Sequence, residues 1–144
     1  MKNVLCFVLI ATFISCSNRK EIVLEKIDDF RLEEKIWNDL TKRILNDNTV
    51  NHKLGLLVKP DELEKSLADE LTEKKVAYIT VDKSQDCRKV EYQKAWDKKI
   101  GTQYLEWSSC DSVKTQKGYY ENLEPIEVFG IGNGWLTWID TDPI

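Results

Sequence analysis

The spacing of apolar residues changes along this chain, and each change marks an element. Val4 to Ile14 is an apolar run broken only by Thr12. From about Asp28 to Asn46 the spacing is helical. Phe30, Trp37, Leu40 and Ile44 share one stripe, with Ile36 and Leu45 at its edge. Asp28, Asp29, Glu33 and Glu34 load the first turns, and Lys42 and Arg43 the last, which complements the helix dipole. Asn46-Asp47-Asn48 stops the helix. His52 to Val58 reads as a buried strand or a packed loop. Pro60 then opens a second helix at a position where its missing N–H costs nothing. Leu63, Leu67 and Leu71 repeat every four residues, and Lys74-Lys75 close the end.

Period two takes over from Val76 to Val81, a run rich in branched and aromatic residues that predicts a strand. Residues 88–96 and 101–109 predict an antiparallel hairpin whose paired numbers sum to 197. That register sets Val90 against Trp107, Tyr92 against Leu105 and Trp96 against Gly101 on one face. It also sets Cys87 against Cys110, at a Cα separation of about 4.5–5.5 Å that a disulfide accepts. The turn, Asp97-Lys-Lys-Ile100, lacks a glycine, so a four-residue loop is expected. Asp111 to Glu124 is polar and reads as a connection docked by Tyr119 and Tyr120. In the last element, Asn133-Gly134 between two β runs predicts a two-residue hairpin turn. Its sum of 267 sets Ile131 against Leu136, Phe129 against Trp138, and Glu127 against Asp140.

The expected fold class is α+β. Two N-terminal helices pack on an antiparallel sheet of about five strands that ends in a β-hairpin. Trp107, Val90, Tyr92, Phe129 and Trp138 should meet the helices' apolar stripe.

The N-terminal run has a basic start at Lys2, an apolar middle and a small residue at its end, the pattern of a secretory signal. It is about half the roughly 20 residues a spanning helix needs. Phe13-Ile14-Ser15-Cys16 resembles the lipobox of bacterial lipoproteins, in a spelling closer to Bacteroidota than to enteric bacteria. The resemblance covers these sixteen residues. It implies removal of residues 1–15 and lipidation of Cys16, with diacylglyceryl on its sulfur and an acyl chain such as palmitate on its amine. Each buried methylene contributes about 0.8 kcal/mol, and one chain alone holds only marginally, so more than one is used. Residues 16–26 would form a short tether reaching at most about 35 Å, and residues 27–144 a single domain. The alternative for this segment is an ordinary cleaved signal with an incidental Cys16. The expected location is the cell envelope, exported and lipid-anchored, at the outer membrane or facing the periplasm.

Removing residues 1–15 takes one positive charge, so the net charge moves from −4 to about −5. That excludes nonspecific binding to nucleic acid or to anionic headgroups, both of which need basic surface. It leaves Cys87 and Cys110 as the remaining pair, since Cys6 goes with the signal and Cys16 is acylated. In an oxidising compartment a bridge there contributes roughly 3 kcal/mol through the unfolded state. A metal pair or a reactive thiol is the rival. Five Trp and five Tyr either fill a small core or line a partner surface.

Candidate chemistry is sparse. Glu127 and Asp140, if opposed, repel each other. They could then serve as the acid pair of a glycoside hydrolase. The plainer reading is two solvated acids at a ladder's end. His52 is the single histidine. It leaves a Cys87–His52 nucleophile pair open only if the disulfide is absent. Gly130-Ile-Gly132-Asn-Gly134 lies between strands, where turn geometry accounts for it. Asp111-Ser112-Val113 resembles the O-glycosylation acceptor of exported Bacteroidota proteins, which implies modification at Ser112. No cofactor and no metal site is expected. The expected function is a membrane-tethered, non-catalytic binding or accessory module, with a protein or envelope-glycan partner, of which an inhibitor or immunity protein is one form. A small envelope-sugar hydrolase using Glu127 and Asp140 is the alternative. Replacing Cys16 with Ala should move the protein from the membrane pellet to the soluble fraction of fractionated cells. Persistent membrane association would sink the anchor.

Overall fold

The computed structural model describes residues 4–84, 86–110 and 112–142, with side chains from Arg19 onward. The signal segment and Cys16 therefore lie outside the residues described in full. The chain forms two compact units, Met1–Glu33 and Glu34–Ile144. Helix α1 (Val4–Asn46) contributes to both. The stretch expected as a tether, Ser17 to Lys26, is part of this helix. At about 1.5 Å per residue its ten residues span about 15 Å, less than half the extended reach. The reason lies in a stripe flanked by charges. Val23, Ile27 and Phe30 follow i, i+4, i+7 spacing and are buried, while Leu32 is 87% exposed.

In the second unit α1 buries Trp37, Leu40 and Ile44 as expected. Asp47 ends it, and its carboxylate accepts the Val50 N–H at 3.0 Å to cap α2 (Asn48–His52). Of the apolar run that follows, only Val58 is buried; Leu54, Leu56 and Leu57 are exposed. The second helix is not continuous. Pro60–Glu62 forms a 3-10 turn, Leu63 is extended, and α3 begins at Lys65 and ends at Glu73. Glu64 causes the restart: its carboxylate accepts from the Ser66 N–H at 3.3 Å and hydroxyl at 2.9 Å. Leu67 and Leu71 are buried as the four-residue repeat requires.

Six antiparallel strands form one sheet in the order β1 (Val76–Lys83), β2 (Arg88–Lys94), β3 (Thr102–Ser108), β6 (Trp135–Asp140), β5 (Ile126–Gly132), β4 (Tyr120–Leu123). The fold is thus α+β. The sixth strand, β4, sits where a loop was expected; its four residues are too few for a period to declare itself. Gly55 and Val58 donate to Val81 and Ile79 at 2.9 Å, which covers the β1 edge.

The central hairpin has the expected register: Val90 faces Trp107, Tyr92 faces Leu105 and the sum is 197. Its mouth is closed by the Cys87–Cys110 disulfide, with Cα atoms 5.5 Å apart. Its turn differs. Lys98, Lys99 and Ile100 form a three-residue loop, and the glycine that loop needs is Gly101 at φ +91°. Asp97, not Trp96, therefore bridges to Gly101.

The C-terminal hairpin begins as expected, with Gly132 opposite Trp135. A β-bulge between Gly130 and Gly132 then moves the register by one residue. Phe129 faces Thr137, Val128 faces Trp138, and Glu127 faces Ile139. Glu127 and Asp140 are not opposed, because a one-residue slip sends a side chain to the other face. Trp138 faces away from the helices because Trp135, Thr137 and Ile139 of the same strand face them.

The helix side centres on three rings. Trp37 meets Tyr92 edge-on at 5.2 Å, and Trp135 lies 6.5 Å and 6.2 Å from them. Thr41 Oγ1 donates to the Trp37 carbonyl at 2.8 Å and shares a 2.7 Å hydrogen bond with the Tyr92 hydroxyl. Trp135 Nε1 donates to Asn38 Oδ1 at 3.0 Å. Burial raises the Tyr92 phenol pKa, with the Thr41 hydrogen bond working the other way. A phenol raised on folding gives stability that is complete below the unfolded value near 10 and is lost above it, at about 1.4 kcal/mol per pH unit. Tyr92→Phe should lose about 1 kcal/mol at pH 8 and shed that component of the alkaline loss. Urea midpoints from pH 8 to 11 read both effects, and equal slopes for the two proteins would refute the assignment.

Candidate functional site

Helices cover one face of the sheet. The register places the other face in rows. Thr80, Glu91, Glu106, Leu136 and Gly130 form one row. Gln93, Tyr104, Trp138, Val128 and Glu121 form the next. This outer face is covered in part by the segment after Cys110. Ser112 Oγ accepts the Lys114 N–H at 3.2 Å and starts a 3-10 turn, Val113–Thr115. The segment then lies on Gly130, where a Cβ would collide with the carbonyl oxygens of Gln116 and Lys114. Gly130 N–H donates to the Tyr119 carbonyl at 2.9 Å, and Gly118 N–H donates to the Gly130 carbonyl at 3.1 Å. The glycine-rich motif thus serves a bulge, a turn and a close backbone approach.

Between this segment and the strands lies a cleft of about 500 Å³. Leu123, Ile126, Val128, Leu136 and Trp138 line it with carbon. Lys89, Glu106, Ser108, Ser112, Lys114 and Thr115 supply its polar lining. Lys89 Nζ lies 3.5 Å from Glu106, and Lys114 Nζ lies 2.9 Å from Glu121. The Lys114 hydrogen bond holds the Glu121 carboxyl below its ordinary pKa, with Tyr119 acting in the same sense.

Beside the cleft, Glu91 and Glu106 oppose each other directly across β2 and β3. Burial raises the Glu91 pKa, the Glu106 charge adds to it, and the Trp138 indole N–H donating to Glu91 opposes both. Trp138 and Tyr104 stack at 3.6 Å with planes 2° apart. Burial, then the charges of Glu91 and Asp140, raise the Tyr104 phenol.

The residues singled out from sequence scatter. Cys110 lines the cleft, and its bond to Cys87 removes the thiol a Cys87–His52 pair would need. His52 is exposed, its Nδ1 2.6 Å from the Asn48 carbonyl. Ser112 is exposed at the cleft, while its neighbour Asp111 lies outside the described residues. Glu127 is buried toward the helix side, where the Tyr120 hydroxyl donates to it at 3.3 Å. Asp140 lies on the outer face opposite Ile126. The pair proposed for sugar hydrolysis is therefore split between the two faces. Among the described residues, no group of three or more His, Cys, Asp and Glu is placed to hold a metal ion.

The opposed carboxylates that do exist were within reach of the sequence. Glu91 and Glu106 sum to 197, the number that pairs the central hairpin. Their neighbours were not, because β3 pairs with β6 rather than with the next strand in the chain. No family model, no curated protein and no solved structure matches this chain.

Glu106→Gln should lower the Glu91 titration midpoint while leaving it above an ordinary glutamate, since burial is the larger cause. Carbon-detected NMR of the Glu91 carboxyl measures this. An unmoved midpoint would show that the two groups do not interact.

Proposed function

We propose that this chain is a membrane-tethered, extracytoplasmic binding module, without catalysis, whose partner is a protein held in the outer-face cleft. The cleft carries the reading. It is concave, about 500 Å³, and combines an apolar lining with a few fixed polar groups, the usual build of a recognition site. An aliphatic wall of Leu123, Ile126, Val128 and Leu136 suits an apolar side chain better than a sugar, whose hydroxyls would lose their hydrogen bonds there. Leu123 is 55% exposed beside this wall, on the edge strand β4. Burying its exposed surface gives a partner a hydrophobic gain of about 25 cal/mol per Å².

The tether half of the reading rests on Lys2, the apolar run and Cys16. The disulfide is consistent with an oxidising compartment. An inhibitor or immunity protein is a specific form of this function. A hydrolase working through Glu127 and Asp140 loses its support, because their side chains leave the sheet on opposite faces.

A photo-crosslinking amino acid at Leu123, compared with the same group at Leu56 outside the cleft, tests the proposal in intact cells. A discrete protein adduct from position 123 alone is expected. Equal adducts from both positions, or none from position 123, would overturn it.

A further inference from the structure

The outer face carries a charge imbalance that a binding role alone leaves unexplained. Following the register from edge to edge, its acids are Asp82, Glu91, Glu106, Glu121 and Asp140. Its lysines are Lys89 on β2, and Lys114 and Lys117 on the segment that covers the face; Lys89 and Lys114 pair with Glu106 and Glu121. Five acids less three lysines leave two negative charges on one face. Their distribution is not diffuse. Glu91 sits directly across from Glu106 and feels the charges of both Glu106 and Asp82. Like charges directly opposite on neighbouring strands destabilise the pair they belong to. The Tyr104–Trp138 stack lies in the row next to that pair.

The geometry points to a basic polypeptide segment as the occupant of this face: arginine or lysine over Glu91 and Glu106, with a neighbouring apolar side chain in the cleft. This rests on the proposed binding function and names the chemistry of its partner. Each part of the face answers part of such a segment. Two opposed carboxylates accept the fork of a guanidinium, whose charge relieves their repulsion. The aromatic stack beside them supplies a surface on which a guanidinium can lie. The adjoining aliphatic wall takes a side chain from the same segment, because Leu136 stands next to Glu106 in one row and Trp138 next to Tyr104 in the following row. Charge complementarity of this kind sets partner choice and association rate. An anionic lipid surface or a nucleic acid is repelled by the same face.

The test uses the full chain in detergent micelles and three peptides with blocked ends. Ser-Arg-Leu-Arg-Ile-Arg-Ser carries both features, Ser-Arg-Ser-Arg-Ser-Arg-Ser lacks the apolar side chains, and Ser-Glu-Leu-Glu-Ile-Glu-Ser reverses the charge. The first should bind at least about tenfold more tightly than either other, weaken with added salt, and shift the NMR signals of Glu91, Glu106 and the Trp138 indole. Combining Glu91→Gln with Glu106→Gln should abolish that preference. Combining Asp61→Asn with Glu73→Gln, which removes two charges elsewhere, should leave it intact. Equal binding of the charge-reversed peptide, or an unchanged preference in the Glu91/Glu106 variant, would overturn the inference. Displacement of the basic peptide by envelope oligosaccharide bound at the same signals would overturn it in favour of a glycan. If the protein adduct from position 123 persists in the Glu91/Glu106 variant, the basic partner falls and the binding module stands. If no adduct forms at all, the binding module falls with it.

Discussion

A sheet of six strands has two faces, and this chain supplies helix for one. Everything else follows from how that side is closed. Trp37, Tyr92 and Trp135 meet in edge-on and stacked contacts, and Thr41 and Asn38 of α1 hydrogen-bond Tyr92 and Trp135. Contacts between such rings add about 0.5–1.5 kcal/mol beyond the burial itself. The hydrogen bonds add about 1 kcal/mol each, and leaving any of those groups unpaired in the interior would cost more than that. A packed junction with directional bonds fixes which face of β2 and β6 turns inward. Once that is fixed, Glu91, Glu106 and Trp138 must turn outward.

The bulge between Gly130 and Gly132 is the second determinant. Without it the tight turn's register would carry down the hairpin and set Glu127 against Asp140. With it, Glu127 enters the helix side beneath the Tyr120 hydroxyl, and Val128 joins Trp138 on the outer face. One inserted residue thereby removes a carboxylate from the outer face and adds an aliphatic group to the cleft. The same glycines let the Lys114–Gln116 backbone lie against the strand, which builds the cleft's far wall. Register and cleft have one origin.

That origin limits how far the residues alone could lead. The central hairpin was legible because apolar pairing and cysteine position independently demand the same sum. Leu67 and Leu71 were legible because leucine at every fourth residue, with polar residues between, suits one buried helical face and no strand. The bulge was missed because Gly130 and Gly132, glycines of the kind that mark a bulge inside a strand, read as part of the turn that Asn133-Gly134 announces. Strand β4 was hidden by brevity and polarity: Tyr120-Glu-Asn-Leu123 becomes a strand only because β5 is there to pair with it. The first helix ran further back than its apolar stripe suggested, because Arg19, Lys20, Glu21 and Glu25 surround Val23 and look like a tether.

The outer face was the least legible part, and for a topological reason. Its rows collect residues from strands distant in the chain, Tyr104 beside Trp138 and Glu106 beside Leu136. No spacing rule along the sequence relates them. Yet the parts so assembled are not those a solvated face requires. Isolated acids would serve solubility equally well, without an opposed pair whose titration burial and mutual charge disturb. Isolated apolar groups would be better buried than gathered around an open cleft. Opposed carboxylates cost stability in the free protein, and open apolar surface forgoes it. A partner that brings positive charge and an apolar side chain together recovers both, so the features that weaken the free domain are the ones that would strengthen a complex.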